Sequence, residues 1–173
     1  MTLKETMPVL TRHEGVWDGW YRYFDINGNR IDEHKSRLIC RFPTEDSYHQ
    51  TNHYFWADGK RDDRDFPTRI EDGKMIFYTE IQGWAAEVKL DEYNRTVMLH
   101  WQRVAEPGLY LYEMIQISDC GNYRARVWQW FRDGKLLQRT LIDEQLVSRD
   151  WQAFEAGTDA LSFDEVAKFD QAA

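Results

Sequence analysis

Cysteine is scarce in this 173-residue chain. Cys40 and Cys120 are the only two, too few for a disulfide framework. They read as reduced thiols, with one bridge as the alternative. Basic charge is short as well: 22 Lys and Arg face 30 Asp and Glu, a formal net charge of -8. That balance argues against a general nucleic-acid binder, which would show a basic face. No stretch approaches the roughly 18 continuous apolar residues of a membrane helix. The opening "MTLKETMPVL" has no apolar core of signal-peptide length and carries an early acid. The expectation is therefore a cytoplasmic protein with no membrane and no nucleic-acid partner.

Familiar catalytic punctuation is missing too. There is no Gly-x-Ser-x-Gly elbow, and neither cysteine sits in a recognisable reactive context. No Gly-rich loop follows a strand and opens a helix, so a nucleotide cofactor is not expected. "RDDRDFPTR" (61–69) is rich in acids but lacks the glycine-containing spacing of a Ca²⁺ loop. It reads as a solvated edge strand or a flap. No cofactor and no metal are expected.

Aromatic residues, in contrast, make up 15% of the chain and include eight Trp, which implies a very aromatic core or an aromatic-lined cavity. Turn signals recur at short intervals: "DINGNR" (25–30), "ADGK" (57–60), "EDGK" (71–74), "DEYNR" (91–95), "EPG" (106–108), "DCGN" (119–122) and "RDGK" (132–135). Asp-Gly and Asn-Gly supply the positive φ that two-residue hairpin turns require. Between them lie β-branched and aromatic runs, read as strands near 16–25, 34–42, 48–57, 64–70, 74–81, 83–90, 96–103, 109–118, 123–132 and 135–147. Short turns make sequence neighbours antiparallel neighbours in space. The fold class is all-β: a single antiparallel up-and-down barrel of about 8–10 strands, with short N- and C-terminal helices.

The ends define the remaining organisation. Residues 1–14 form a helix or lid broken near Pro8, 15–147 the barrel, and 148–173 a tail. In that tail "FEAGTDA" reads as linker. "SFDEVAKFDQ" (162–171) opens on the Ser-x-x-Glu pattern of a capped helix.

Gly15-Val16-Trp17, at the start of the first strand in "EGVWDGWYRYF", resembles the Gly-x-Trp signature of lipocalins and their calycin relatives. Over roughly residues 12–147 the chain also resembles an uncharacterised family of bacterial lipocalin-like domains. The resemblance implies a barrel end closed by Trp17, with Arg139 or Arg149 against it through a cation–π contact. It also implies a cup for one small, mostly apolar molecule. That architecture serves carriers and haem binders as well as cofactor-free enzymes such as phenolic acid decarboxylases, allene oxide cyclases and bilin lyases.

The stretch "YHQTNHYFW" (48–56) holds His49 and His53 four apart. On a strand that spacing is about 13 Å at roughly 3.3 Å per residue, too far for both to ligate one ion. A metal assembled across strands with His34, or a single-His haem site, is a minor alternative. Either phase of this strand could face inward; the His-bearing phase is the one expected, because its polar groups suit proton transfer. In "LYLYEMIQI" Glu113 is the only charge and falls in the more apolar phase, as a general acid or base raised by burial would. The bland reading is a buried or rim Glu paired with Arg, with Arg103 as the natural partner or an anion clamp. Tyr21 and Tyr23 share the phase of Trp17 and would grip a phenol or carboxylate, or simply fill the core. Phe77, Thr79, Trp84, Trp101 and Gln129, with Val127 and Phe131, complete the expected walls. Trp20 and Trp130 are expected to point outward, as patches for a homodimer.

The inventory thus leads to a cofactor-independent lyase, decarboxylase or isomerase acting on a small aromatic or phenolic molecule. Glu113 or His53 would be the acid/base, Tyr21 and Tyr23 the grips, and Arg103 the anion partner. His34, His49, Phe77, Thr79, Trp84, Trp101 and Gln129 would bind substrate. The alternative is a non-catalytic binding protein for a hydrophobic pigment, haem or lipid.

Overall fold

The computed structural model describes residues 3–89, 93–155 and 160–169. Ten strands follow one another: β1 (Gly15–Asp25), β2 (Arg30–Thr44), β3 (Ser47–Phe55), β4 (Arg61–Glu71), β5 (Lys74–Tyr78), β6 (Ile81–Glu87), β7 (Thr96–Arg103), β8 (Leu109–Ile117), β9 (Tyr123–Arg132) and β10 (Lys135–Ser148). Each pairs antiparallel with its neighbour in sequence, and β1 also pairs with β10, so the sheet closes into a barrel. Closure removes most of the edge that an open sheet would expose.

Turn chemistry sets the register. Asp72-Gly73 and Asp133-Gly134 have positive φ at both residues, the two-residue turn expected of Asp-Gly. Around Gly28 and Gly59 only the glycine is left-handed. There Asp25 N–H donates to the Asn29 carbonyl and Trp56 N–H to the Lys60 carbonyl, both at 2.9 Å, closing three-residue loops instead. The segment "RDDRDFPTR" lies in β4. Its Arg61–Pro67 portion pairs with β3 alone, since β5 reaches only Thr68–Glu71. It is therefore an edge locally, and a proline is tolerated where no N–H is needed. The strand expected over 83–90 begins earlier and ends at Glu87; residues 90–92, including the start of "DEYNR", lie outside the described residues.

The N-terminal helices α1 (Leu3–Thr6) and α2 (Pro8–Thr11) close one end of the barrel, with Pro8 in the first turn of α2. Leu3, Met7, Val9 and Leu10 are buried in the core. Trp17 is fully buried beneath them and donates its indole N–H to the His13 carbonyl at 2.9 Å. Arg149 lies over the Trp17 ring at 5.7 Å, whereas Arg139 is exposed on the outer face of β10. A second guanidinium, Arg124, stands closer, at 4.4 Å. Arg149 also donates to the carbonyls of Arg12 and Glu14, tying the N-terminal segment to the end of β10.

After α3 (Gln152–Glu155), part of "FEAGTDA" (156–159) lies outside the described residues. The capping box at Ser162 and Glu165 forms as expected, but the helix is a single 3-10 turn, Phe163–Glu165. Residues 170–171 of that expected helix lie outside the described residues. Tertiary contact ends it: Val166 and Ala167 pack against Phe55 and Trp20 on the outside of the barrel, and Ala167 N–H donates to Asp18 at 3.0 Å. Asp18 also takes a two-pronged ion pair from Arg37, at 2.7 and 2.9 Å. Cys40 is buried and Cys120 exposed, both as free thiols.

Candidate functional site

Alternate residues of each strand face the barrel interior, so strand phase decides what lines it. On β3 the inward phase is Tyr48, Gln50, Asn52 and Tyr54, not the His-bearing phase. The physical reason is visible in the partners. His49 bonds Asp65 at 2.7 Å and His53 bonds Asp63 at 2.6 Å, carboxylates on the outer face of β4. The inward residues satisfy one another instead. Tyr48 hydroxyl donates to Gln50 Oε1 at 2.6 Å, Gln50 Nε2 to Asn52 Oδ1 at 2.7 Å, and Asn52 Nδ2 to the Tyr54 oxygen at 2.6 Å. Buried polar groups are cheap only when paired, and this ladder pairs them along one strand.

The interior holds a cavity of about 530 Å³. Leu10 and His13 close its floor, while Asp32, Trp56, Lys60, Arg103, Glu106 and Arg132 stand around its mouth. One wall is the polar ladder with Tyr23 and His34. Across from it lie Met75, Phe77, Leu99, Trp101, Trp128 and Trp130, an apolar and aromatic wall.

A four-member ion cluster lies deep in the barrel. Arg126 Nε donates to Glu113 at 2.5 Å, and its Nη1 donates to Tyr21 Oη at 3.0 Å and Glu144 at 3.1 Å. Arg124 pairs with the other oxygen of Glu144 and reaches His13 Nδ1 at 3.3 Å. Two guanidinium groups thus meet two carboxylates. Burial disfavours the charge of Arg126, yet Glu113, Tyr21 and Glu144 hold its pKa above the ordinary value. His13 is pushed down, first by burial and then by Arg124 beside it. Gly19 makes room for the cluster: a Cβ there would lie 2.5 Å from Glu144 Cγ.

His34 is 1% exposed and burial holds it down at about 4, so it is neutral at pH 7. Its Nδ1 lies 3.1 Å from the Lys35 carbonyl, which can only accept, so that nitrogen carries the proton. The other nitrogen, Nε2, therefore accepts from the Tyr23 hydroxyl at 3.2 Å. Tyr21 stacks on the same imidazole at 4.7 Å. Tyr54 is pushed up to about 12, chiefly by burial. All three tyrosines stay protonated near neutral pH, since Tyr21 and Tyr23 are raised by burial too.

The expected site residues fall into two groups. Glu113, Arg103, Tyr23, His34, Phe77 and Trp101 line the cavity, and Tyr21 lies behind it in the ion cluster. His49, His53, Thr79, Trp84 and Gln129 do not. The first two face outward on β3, Thr79 sits exposed in the β5–β6 turn, and Trp84 and Gln129 lie on the outer faces of β6 and β9. Val127 and Phe131 share the outward phase of Gln129. Trp130 is the converse correction: it points inward and donates to Thr140 at 2.9 Å. Trp20 does face outward but is covered by Phe163 and the tail. Arg103 does not reach Glu113; it pairs loosely with Glu106, at 3.9 Å, near the mouth.

The unexpected members are Arg124, Arg126, Glu144 and the amide ladder. A signal for the arginines was present in "RARVWQW", where both share the phase of Trp128 and Trp130. Among the described residues no three His, Cys, Asp or Glu side chains converge as metal ligands. No helix among them is long and apolar enough to cross a membrane.

No protein family profile matches the chain, and neither does any curated protein sequence. Solved structures do resemble it. A protein of unknown function from the DUF3598 family of Nostoc punctiforme superposes with a TM-score of 0.63 and 15% identity, over 80% of this chain. The present chain spans about half of that protein, 49% of its length. Rv2717c from M. tuberculosis gives a TM-score of 0.61 at 12% identity, covering 83% of this chain and 98% of that one. The S-type phycobiliprotein lyase CPES from Guillardia theta gives 0.64 at 14% identity, covering 86% and 94%. At such identities the likeness speaks for the fold alone, a closed antiparallel up-and-down barrel.

Proposed function

We propose that the protein binds one small, predominantly apolar aromatic molecule inside its barrel. The observation that carries this reading is the two-sided cavity of about 530 Å³. Its volume falls within the range of roughly 300–1,000 Å³ typical of small-molecule sites. The aromatic wall of Trp101, Trp128 and Trp130 would take the ring system by stacking and edge contacts. Tyr23, Tyr54 and Asn52 on the opposite wall would orient a polar substituent. The one deep carboxylate expected to act as acid or base, Glu113, is engaged by Arg126. That pairing favours binding over proton transfer at this position.

Titration with the neutral fluorescent probe N-phenyl-1-naphthylamine tests the reading. Saturable one-site enhancement is expected, and Leu99→Trp should weaken it roughly tenfold by placing bulk in the cavity. No saturable binding, or an unchanged affinity in Leu99→Trp, refutes it.

A second reading, a cofactor-independent lyase, decarboxylase or isomerase on a phenolic substrate, is favoured by one observation. The neutral His34 accepts from the Tyr23 hydroxyl within the cavity, a pair able to relay a proton to or from a phenol. In this reading His34 replaces Glu113 and His53 as the acid/base. Turnover of a para-hydroxy aromatic acid that is lost in His34→Gln would establish it; silence across a panel of such acids retires it.

A further inference from the structure

The outer face of β5–β9 differs from the rest of the surface. The ladder registers align Ile76, Trp84, His100, Tyr112 and Gln129 in one row across five strands. A second row is Tyr78, Gln82, Gln102, Tyr110 and Phe131. A third row holds Ala86, Met98, Met114 and Val127. Not one of these residues is an Asp, Glu, Lys or Arg, in a chain that is 30% charged. Trp84, Tyr112 and Tyr78 are 36%, 44% and 47% exposed. Charge returns at the borders: Lys74 on the outward phase of β5, Arg69 on β4 beside Ile76 and over the Tyr78 ring at 5.4 Å, and Arg139 beside Gln129 on β10.

We propose that this face is the interface of a twofold-symmetric homodimer. Three features select a second copy as the occupant. First, a twofold interface sets one patch against itself, so any net charge on it meets its like. A chain carrying -8 repels its own copy, and a face without formal charge is where that contact costs least. A basic partner would instead seek one of the acidic surfaces. Second, the composition matches an interface core: aromatic residues and Met enriched, charged residues absent. Third, the size fits. Three rows about 6.8 Å apart across strands at about 4.8 Å spacing give on the order of 450–500 Å² in projection. The accessible area of protruding rings exceeds that projection, and about 800 Å² per partner is a standard interface. The stacked pair Tyr110 and Phe131, 5.3 Å apart and 7° from parallel, is a preorganised aromatic ridge for such a contact. The face lies on the outside of the wall, so the dimer stands or falls independently of ligand binding in the cavity.

Sedimentation velocity on the full chain from about 1 to about 100 µM tests it, at low and at high salt. A dimer is expected that tightens as salt rises, because screening relieves the mutual repulsion of two acidic chains. Gln102→Glu, at an exposed position of the central strand that leaves the inward phase untouched, should weaken dimerisation at least tenfold by putting an unpaired carboxylate into the interface. Tyr112→Glu should do the same, and both should keep the wild-type far-UV circular dichroism and probe affinity. A wild-type chain that stays monomeric at the highest concentration overturns the proposal. So does a dimer that both variants leave intact, or one that salt dissociates.

Discussion

Neutralising Glu113 probes the deep ion cluster most directly. In Glu113→Gln the side chain keeps its shape and can still accept from Arg126 Nε, but a negative charge is lost. Two buried guanidinium groups then share the single carboxylate of Glu144, which already pairs with both at 3.1 Å and closer. Removing one member of a buried ion pair typically costs 3–5 kcal/mol, because the remaining charge is left uncompensated. Since Glu144 still partly balances Arg126, the lower end applies, about 3 kcal/mol. For a domain of this size, that corresponds to a fall in Tm of about 6–12 °C. Urea unfolding followed by tryptophan fluorescence measures it, with near-UV circular dichroism confirming the native fold. The double variant Glu113→Leu/Arg126→Met should recover most of the loss, since an apolar pair of similar volume often replaces a buried ion pair without penalty. A Glu113→Gln protein within 1 kcal/mol of wild type would refute the cluster as a charge-balanced unit.

Two further outcomes follow from neighbouring groups. His34, held at about 4 against an ordinary 6.5, stays neutral in the native state while the unfolded chain takes up a proton. Its contribution is therefore complete above about pH 6.5 and is lost as the pH falls through 4, a loss of about 3 kcal/mol. His34→Gln should flatten that part of a stability-versus-pH curve measured by urea unfolding; an unchanged acid limb would contradict the buried neutral imidazole. Gly19→Ala would place a Cβ 2.5 Å from Glu144 Cγ and 2.9 Å from the Asp143 carbonyl. A destabilisation of about 1–3 kcal/mol is expected from the same unfolding assay, and a neutral substitution would show that the cluster can shift to admit a methyl group.

The strand train was legible because its signals are local. Asp-Gly and Asn-Gly turns need left-handed backbone, and ten runs between short turns leave little choice but antiparallel neighbours. Closure between β1 and β10 was the economical inference from an absence of crossover helices. The phase of β8 was also readable, since Glu113 stands alone among aliphatic residues. The phase of β3 was not. Both faces of "YHQTNHYFW" mix polar and aromatic groups, so hydrophobicity does not separate them. The choice turned on which residues lie across the ladder. Asp63 and Asp65 on β4 draw the histidines outward, while Tyr48, Gln50, Asn52 and Tyr54 pair among themselves inside.

The same division holds elsewhere. The sequence by itself determined an all-β barrel, its turns and an aromatic interior, because these follow from backbone conformation and period-two patterning; Trp17 at one end is what the Gly-x-Trp resemblance implies. Only the tertiary structure decided that Glu113 meets Arg126 rather than Arg103, that the tail covers Trp20, and that the uncharged surface lies across β5–β9. Each depends on register between strands, and a ladder brings together residues from separate strands at spacings that no single strand records.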